Sequence, residues 1–300
     1  MTICMKENKK LIKDALKKHL DREDKFENLV LNLALKKMAG AKKDDEGVYY
    51  SKKQKRVIMA TKTLEGTYDI PEGTEIIDDN AFWGCAFLEQ VNIPETVTHI
   101  GNEAFSRCMS LKKLVIPASV ESLGNNPFVG LNSENIVCKS EHFVIENKLM
   151  FTADRKKLIA CLTDAAMVII PKGVVEIQDF AFSRRRRLKK VIIPDTVEVI
   201  GSDAFSDCDV LEKVTLPASV RMVEPHAFAE CDRLKKLTFL GTVEHIARTS
   251  VSNCDALKKI IVPESSSALY IKQLHIPLEL EDIVIESTER KDQQKQVPQS

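Results

Sequence analysis

Side chains able to do chemistry are plentiful in this chain but do not converge. Of eight cysteines, Cys85, Cys108, Cys208, Cys231 and Cys254 recur at one position of a repeating pattern. No two cysteines have the C-x-x-C spacing of a redox couple, and no Cys/His group has zinc spacing. The six histidines (His19, His99, His142, His226, His245, His275) stand in separate segments. None has a Ser, Cys or carboxylate at a spacing that suggests a catalytic pair. Paired carboxylates such as Asp78-Asp79 fall in turn sequence, where short acidic side chains bond local backbone. The phosphate-loop, dinucleotide, zinc-protease and nucleophile-elbow motifs are missing. The expectation is a non-enzymatic protein with no catalytic residues, no cofactor and no metal.

What does recur is lysine. Lys112-Lys113, Lys189-Lys190, Glu212-Lys213, Lys235-Lys236 and Lys258-Lys259 occupy equivalent positions, and Arg184–Arg187 is an unbroken basic run. Such groups can hold an anion, so the elements that position them decide the reading.

Those elements come from a repeat. Pro71, Pro94 and Pro117 are 23 residues apart, as are Pro171, Pro194 and Pro217. Eleven residues after each stands Phe82, Phe105, Phe128, Phe182, Phe205 or Phe228. One further cycle has Leu240 and Val251 in these slots, and Pro263 restarts the register. Before the prolines run short β-rich stretches, Val91-Asn92-Ile93, Leu114-Val115-Ile116, Val191-Ile192-Ile193, Val214-Thr215-Leu216 and Ile260-Ile261-Val262. Alternation turns their first and third residues inward and the middle one outward. Val97/Ile100, Val120/Leu123, Val197/Ile200 and Val220/Val223 add two more apolar columns, and Leu88, Leu111, Leu188, Leu211, Leu234 and Leu257 another. A unit of 23 residues cannot bury its apolar face alone, so stacking at about 4.8 Å must build the core.

The stretches Leu111-Lys-Lys-Leu-Val-Ile-Pro117-Ala-Ser-Val120 and Ile200-Gly-Ser-Asp-Ala-Phe205-Ser-Asp-Cys208-Asp-Val-Leu211 closely resemble the BspA-type leucine-rich repeat family, over about residues 47–275. The resemblance implies an α/β-type repeat solenoid of mostly short β-strands. It also implies a non-catalytic role, commonly in surface-exposed or secreted adhesion and recognition proteins.

The 54 residues between Pro117 and Pro171 exceed two units by eight. Within them, Phe143–Phe151, a charged turn Thr152–Lys157 and Leu158–Cys161 read as a β-hairpin. Val48–Tyr50, Ser51–Arg56 and Val57–Ala60 read the same way. Each hairpin either re-registers the coil or projects as a binding protrusion. The pattern divides the chain into a helical N-terminal cap (1–46), a first repeat block with leading hairpin (47–131) and a second (132–262). A C-terminal cap (263–288) and a disordered tail (289–300) follow. The cap rests on Leu11, Ile12, Ala15, Leu16 and Leu20, then Phe26, Leu29, Val30 and Leu33, at helical spacing. Its helices shield the core end or assemble oligomers.

Charge is balanced, 44 basic against 44 acidic, which argues against a nucleic-acid partner. No run of 18 apolar residues exists to span a membrane, and the N-terminus has no apolar signal region. The expected location is cytoplasmic, with reduced, buried thiols; the family implies cell surface or secretion as the alternative. Stacking aligns Lys190, Lys213, Lys236 and Lys259 on the outward phase of the strands, while acids such as Glu95, Glu198 and Glu224 follow the prolines. The resulting expectation is a protein-recognition scaffold binding a protein partner, one with an acidic segment, through its strand face. The residues assigned to that contact are Lys113, Lys190, Ile192, Lys213, Thr215, Lys236, Thr238, Lys259 and Ile261.

Overall fold

The computed structural model describes Met38, residues 40–263 and the strand Val284–Ser287. The first ten strands are β1 (Lys42–Lys43), β2 (Val48–Tyr50), β3 (Arg56–Ala60), β4 (Glu65–Asp69), β5 (Ile76–Ile77), β6 (Phe87–Asn92), β7 (His99–Ile100), β8 (Lys113–Ile116), β9 (Ser122–Leu123) and β10 (Ile136–Cys138). A meander follows, β11 (Phe143–Glu146), β12 (Leu149–Thr152) and β13 (Lys157–Cys161), then β14 (Met167–Ile169), β15 (Glu176–Ile177) and β16 (Lys190–Ile192). The rest are β17 (Val199–Ile200), β18 (Lys213–Leu216), β19 (Met222–Val223), β20 (Lys236–Phe239), β21 (His245–Ile246), β22 (Lys259–Val262) and β23 (Val284–Ser287).

Each repeat contributes one longer strand before its proline and one two-residue strand after it. The short strands stack as β1-β2-β3-β5-β7-β9 and β11-β12-β13-β15-β17-β19-β21. The longer ones form β4-β6-β8-β10, the pair β14-β16, and β18-β20-β22-β23. Parallel partners stand one period apart, as in Ile77↔Ile100 and Val214↔Leu237. A third side is made by the Phe turns, where the Phe N–H donates to the next turn, 2.8 Å from Phe82 to Ala104 O and 2.7 Å from Phe205 to Ala227 O; Phe128, at the block boundary, donates instead to Asn126 Oδ1 in its own turn. The result is a β-solenoid of about nine turns. The α/β expectation is therefore corrected. Among residues 40–263 the helical element is the three-residue 3-10 turn Ser133–Asn135. A 23-residue turn split between two strands and a bend leaves no segment long enough for an α-helix.

The expected helical cap lies outside the described residues over most of its length, and residues 40–46 within it form a turn and β1 rather than helix. Most of the C-terminal cap and the whole polar tail also lie outside them; of the cap, Val284–Ser287 pairs in parallel with β22. The stretch Phe143–Phe151, read as one strand, breaks into β11 and β12 at Asn147-Lys148, whose φ values of 50° and 62° make a tight hairpin turn.

The core columns are buried apart from partly buried members such as Ile93 and Leu123, and Phe82 stacks on Phe105, Phe182 on Phe205 and Phe205 on Phe228, with centroids 4.8–5.2 Å apart. The cysteines do more than fill space. Cys108, Cys208, Cys231 and Cys254 each donate S–H to the carbonyl of the Phe one turn back, at 3.0–3.3 Å. Burial pushes the Cys108 and Cys254 thiols up to about 12, and all seven described cysteines are free.

Two apolar clusters, not one, fill the solenoid. The meander is the wall between them. Leu149, Phe151, Leu158 and Cys161 face the second cluster, while Met150, Ile159, Ala160 and Leu162 face the first. On the bend side the turns continue across this boundary through Asn125 Nδ2 to Asp179 Oδ2 (2.8 Å) and Asn126 Nδ2 to Phe180 O (2.7 Å). An Asx ladder runs through the same corner, Asn102 N–H to Asp79 Oδ1 and Ser202 N–H to Asp179 Oδ1, both 2.8 Å. The preceding residue must be glycine. A Cβ on Gly101 or Gly201 would sit 2.5–2.6 Å from the backbone N of Asp79 or Asp179.

Candidate docking surface

Strand register places the lysines. Lys213 pairs with Lys236 and Lys236 with Lys259, so three cationic side chains stand on successive turns. Thr215 and Thr238 are paired on the same face. Lys190 belongs to the neighbouring turn but pairs with Met167, and Ile192 pairs with Ile169. Strands β16 and β18 are not hydrogen-bonded neighbours, so the lateral sheet is interrupted between Lys190 and Lys213. Lys113 lies apart, opposite Gln90 in the sheet that ends at β10. Ile261 shares the outward register of Thr238 but is only 7% exposed. At that burial it offers little surface to a partner.

The interruption opens a groove of about 670 Å³. Lys189, Lys190 and Lys213 line it with Ile192, Pro217 and Leu240. Ile192 is 39% exposed and Leu240 54%; beside them Ile169 is 57% exposed. Val191 and Ile193, at 6% and 9%, are more open than the matching Val214 and Leu216 at 1% and 0%, as an unsealed seam requires. Glu212, also on the groove, is bridged by Lys235 at 3.6 Å. Lys190, Lys213 and Lys236 make no ion pair among the described residues, and neither does their first-block equivalent Lys113; the residue before it is bridged one turn back in both blocks, Lys112 to Glu89 at 2.6 Å and Lys235 to Glu212.

Sequence reading missed part of this surface although its own rules reach it. Ile169 has the same outward phase before Pro171 that Ile192 has before Pro194, and Leu240 stands in a proline slot. The sheet interruption carries no local sequence signal. Histidine pairing was also missed: His99 Nδ1 lies 2.8 Å from Ser122 Oγ, residues 23 apart. In a solenoid one period is a contact distance, so spacing rules drawn from single helices or strands overlook it. This pair is exposed on the short-strand side, far from the lysines in the repeat. Among the described residues no three His, Cys, Asp or Glu side chains gather as metal ligands. No helix among them is long and apolar enough to cross a membrane.

Stacked 23-residue turns with buried Leu, Phe and Cys columns define a leucine-rich-repeat solenoid. The BspA type leucine rich repeat region matches six copies over residues 62–161 and 159–274, and the chain belongs to that family. Among solved structures it is similar to a leucine rich cell surface protein from Faecalibacterium prausnitzii, with 25% identity over 77% of this chain and 62% of that one and a TM-score of 0.62. It is also similar to the pneumococcal vaccine antigen PcpA (25% identity, 66% of this chain, 56% of that one, TM-score 0.55). A leucine-rich repeat protein from Eubacterium ventriosum shares the fold at 21% identity, over 74% and 66% of the two chains, with a TM-score of 0.57. The chain thus spans less than two thirds of the first two relatives. No curated protein matches it.

Proposed function

We propose that this chain is a non-enzymatic recognition scaffold that binds an acidic, partly apolar segment of a protein partner in the groove between β16 and β18. The observation that carries the reading is the coincidence of an interrupted sheet, an apolar floor at Ile192 and Leu240, and unpaired lysines on its rim. Like charges side by side on paired strands repel. Lys213 and Lys236 therefore cost stability in the free protein, and an acidic partner relieves that cost. No aromatic platform interleaves the lysines, which disfavours single-stranded nucleic acid.

The test is affinity capture with the wild type beside Lys190/Lys213/Lys236→Glu. A bound protein whose affinity falls about tenfold or more in the variant, with a reduced salt dependence, supports the assignment. Unchanged binding overturns it. A second reading, a cell-surface or secreted adhesin of the same fold, is favoured by the F. prausnitzii relative, described as a cell surface protein. Detection on intact, unpermeabilised cells supports it over the cytoplasmic placement. Oligomerisation through N-terminal helices concerns residues outside those described.

A further inference from the structure

A second basic feature, independent of the lysines, lies on the bend side where the two apolar clusters meet. Two residues after each Phe the chain passes through a left-handed residue, giving the column Gly84, Arg107, Gly130, Arg184, Asp207, Glu230. Gly130 interrupts the side chains of this column between two arginines, and a Cβ built on it meets nothing within 4 Å. The backbone is open there too. At equivalent positions the N–H donates to the next turn, Arg107 to Val129 O (3.1 Å), Arg184 to Ser206 O (2.8 Å) and Asp207 to Ala229 O (3.1 Å). Gly130 N–H makes no such bond, because the Asn126 side chain bridges to Phe180 O in place of the inter-turn backbone contacts.

Around this notch the structure gathers guanidinium groups. Arg107 lies over the Trp83 ring at 5.0 Å, and Arg186 reaches Asp209 at 3.5 Å. Arg184 is 3.6 Å from Asp207. Arg107 and Arg187 make no ion pair among the described residues. Beneath them Arg185 replaces the cysteine of the repeat and is 2% exposed. It donates Nη2 to Leu131 O at 2.7 Å and Nη1 to Asn132 and Asp164 at 3.3 and 3.4 Å, leaving its Nε without a partner. These arginines, Gly130 and Asp164 line an open cavity of about 500 Å³. Asp164 is already neutralised by Arg185, so the cavity's uncompensated charge is positive.

We propose that this notch binds a tetrahedral oxyanion, phosphate or sulfate. Arg107 and Arg187 supply charge-assisted, fork-shaped donors, and the unused N–H of Gly130 supplies one from the floor. The site is distinct from the strand-face groove, so neither assignment depends on the other.

The experiment is isothermal titration of the full chain with inorganic phosphate, then sulfate, at millimolar concentration with chloride-matched ionic strength. The expected result is saturable binding of one anion per chain, weakened about tenfold or more in Arg107→Gln/Arg187→Gln and unchanged in Lys213→Gln. Both arginine positions carry partly exposed side chains, and a melting curve of the double variant confirms that it folds. Absence of saturable heat, equal affinity in the double variant, or equal loss in Lys213→Gln would each overturn the proposal. The last outcome would mean general screening by net charge.

Discussion

The two strand faces are built on the same repeat and the same parallel register, yet they present different chemistry. On β4-β6-β8-β10 outward polar residues bond across the strands: Asn92 donates to Asp69 and accepts from Gln90. On the later strands three lysines stack, isoleucines are exposed, and the sheet is interrupted. The cores beneath are interchangeable in kind, each with stacked Phe rings and buried Leu columns. The comparison teaches that inward columns fix the fold and outward columns are free to differ. Recognition must therefore be sought in what breaks the period.

Alkali should have the largest effect, and it acts on both blocks. Cys85 and Cys108 line the first core; Cys161, Cys208, Cys231 and Cys254 line the second, and burial raises the thiol of each. Below the ordinary value of 9.0 both folded and unfolded thiols are protonated and full stability is present. As pH climbs from there towards about 12, the unfolded chain releases protons that the folded Cys108 and Cys254 retain, so stability falls. Tyr50, Tyr68 and Cys138 of the first core are raised by burial as well, so far-ultraviolet circular dichroism with thiol labelling should show both blocks opening above pH 9. A block whose thiols stay unreactive there would deny it.

Equality of the cores is tested next. Phe105→Ala and Phe205→Ala should each cost about 3–5 kcal/mol in denaturant unfolding, since each removes a stacked, fully buried ring. Costs that differ by more than the spread of repeated measurements would show that one block dominates stability. Arg185→Leu addresses the boundary and should cost about 1–3 kcal/mol, because Leu131 O loses its donor in a buried site. It should also weaken coupling, so calorimetry that shows one transition for the wild type would show two. Smallest is Lys236→Gln, which should stabilise by about 0.2–1 kcal/mol by relieving repulsion from Lys213. Lys113→Gln, with Gln90 as its neighbour, should change nothing measurable in the same melts.

Much of this architecture is legible in the chain. The Pro-to-Phe interval, the Leu column and the Val/Ile pairs give turn length, strand phase and core membership directly, because in a solenoid each core residue contacts its own equivalents. Lys213, Lys236 and Lys259 follow by the same rule. What escapes is whatever depends on turns meeting imperfectly. Nothing in Lys190-Val-Ile or Lys213-Val-Thr-Leu announces that β16 and β18 fail to pair. Ile261 reads as outward because alternation sets direction but not what lies above it. Arg185 reads only as a gap in the cysteine column, since its partners Leu131 and Asn132 lie more than two periods away in sequence.

The meander has a wider meaning for how such chains lengthen. Strands β12 and β13 carry apolar side chains towards both clusters, so one short insert finishes one stack and founds the next. A repeat array cut at any turn exposes a raw apolar end, and an ordinary one-faced hairpin could seal only one of the two ends produced. A two-faced insert acts as a splice. It permits growth by whole blocks, each with outward columns free to drift, while the spine of asparagines and aspartates at the bends keeps the joined pieces on a common axis.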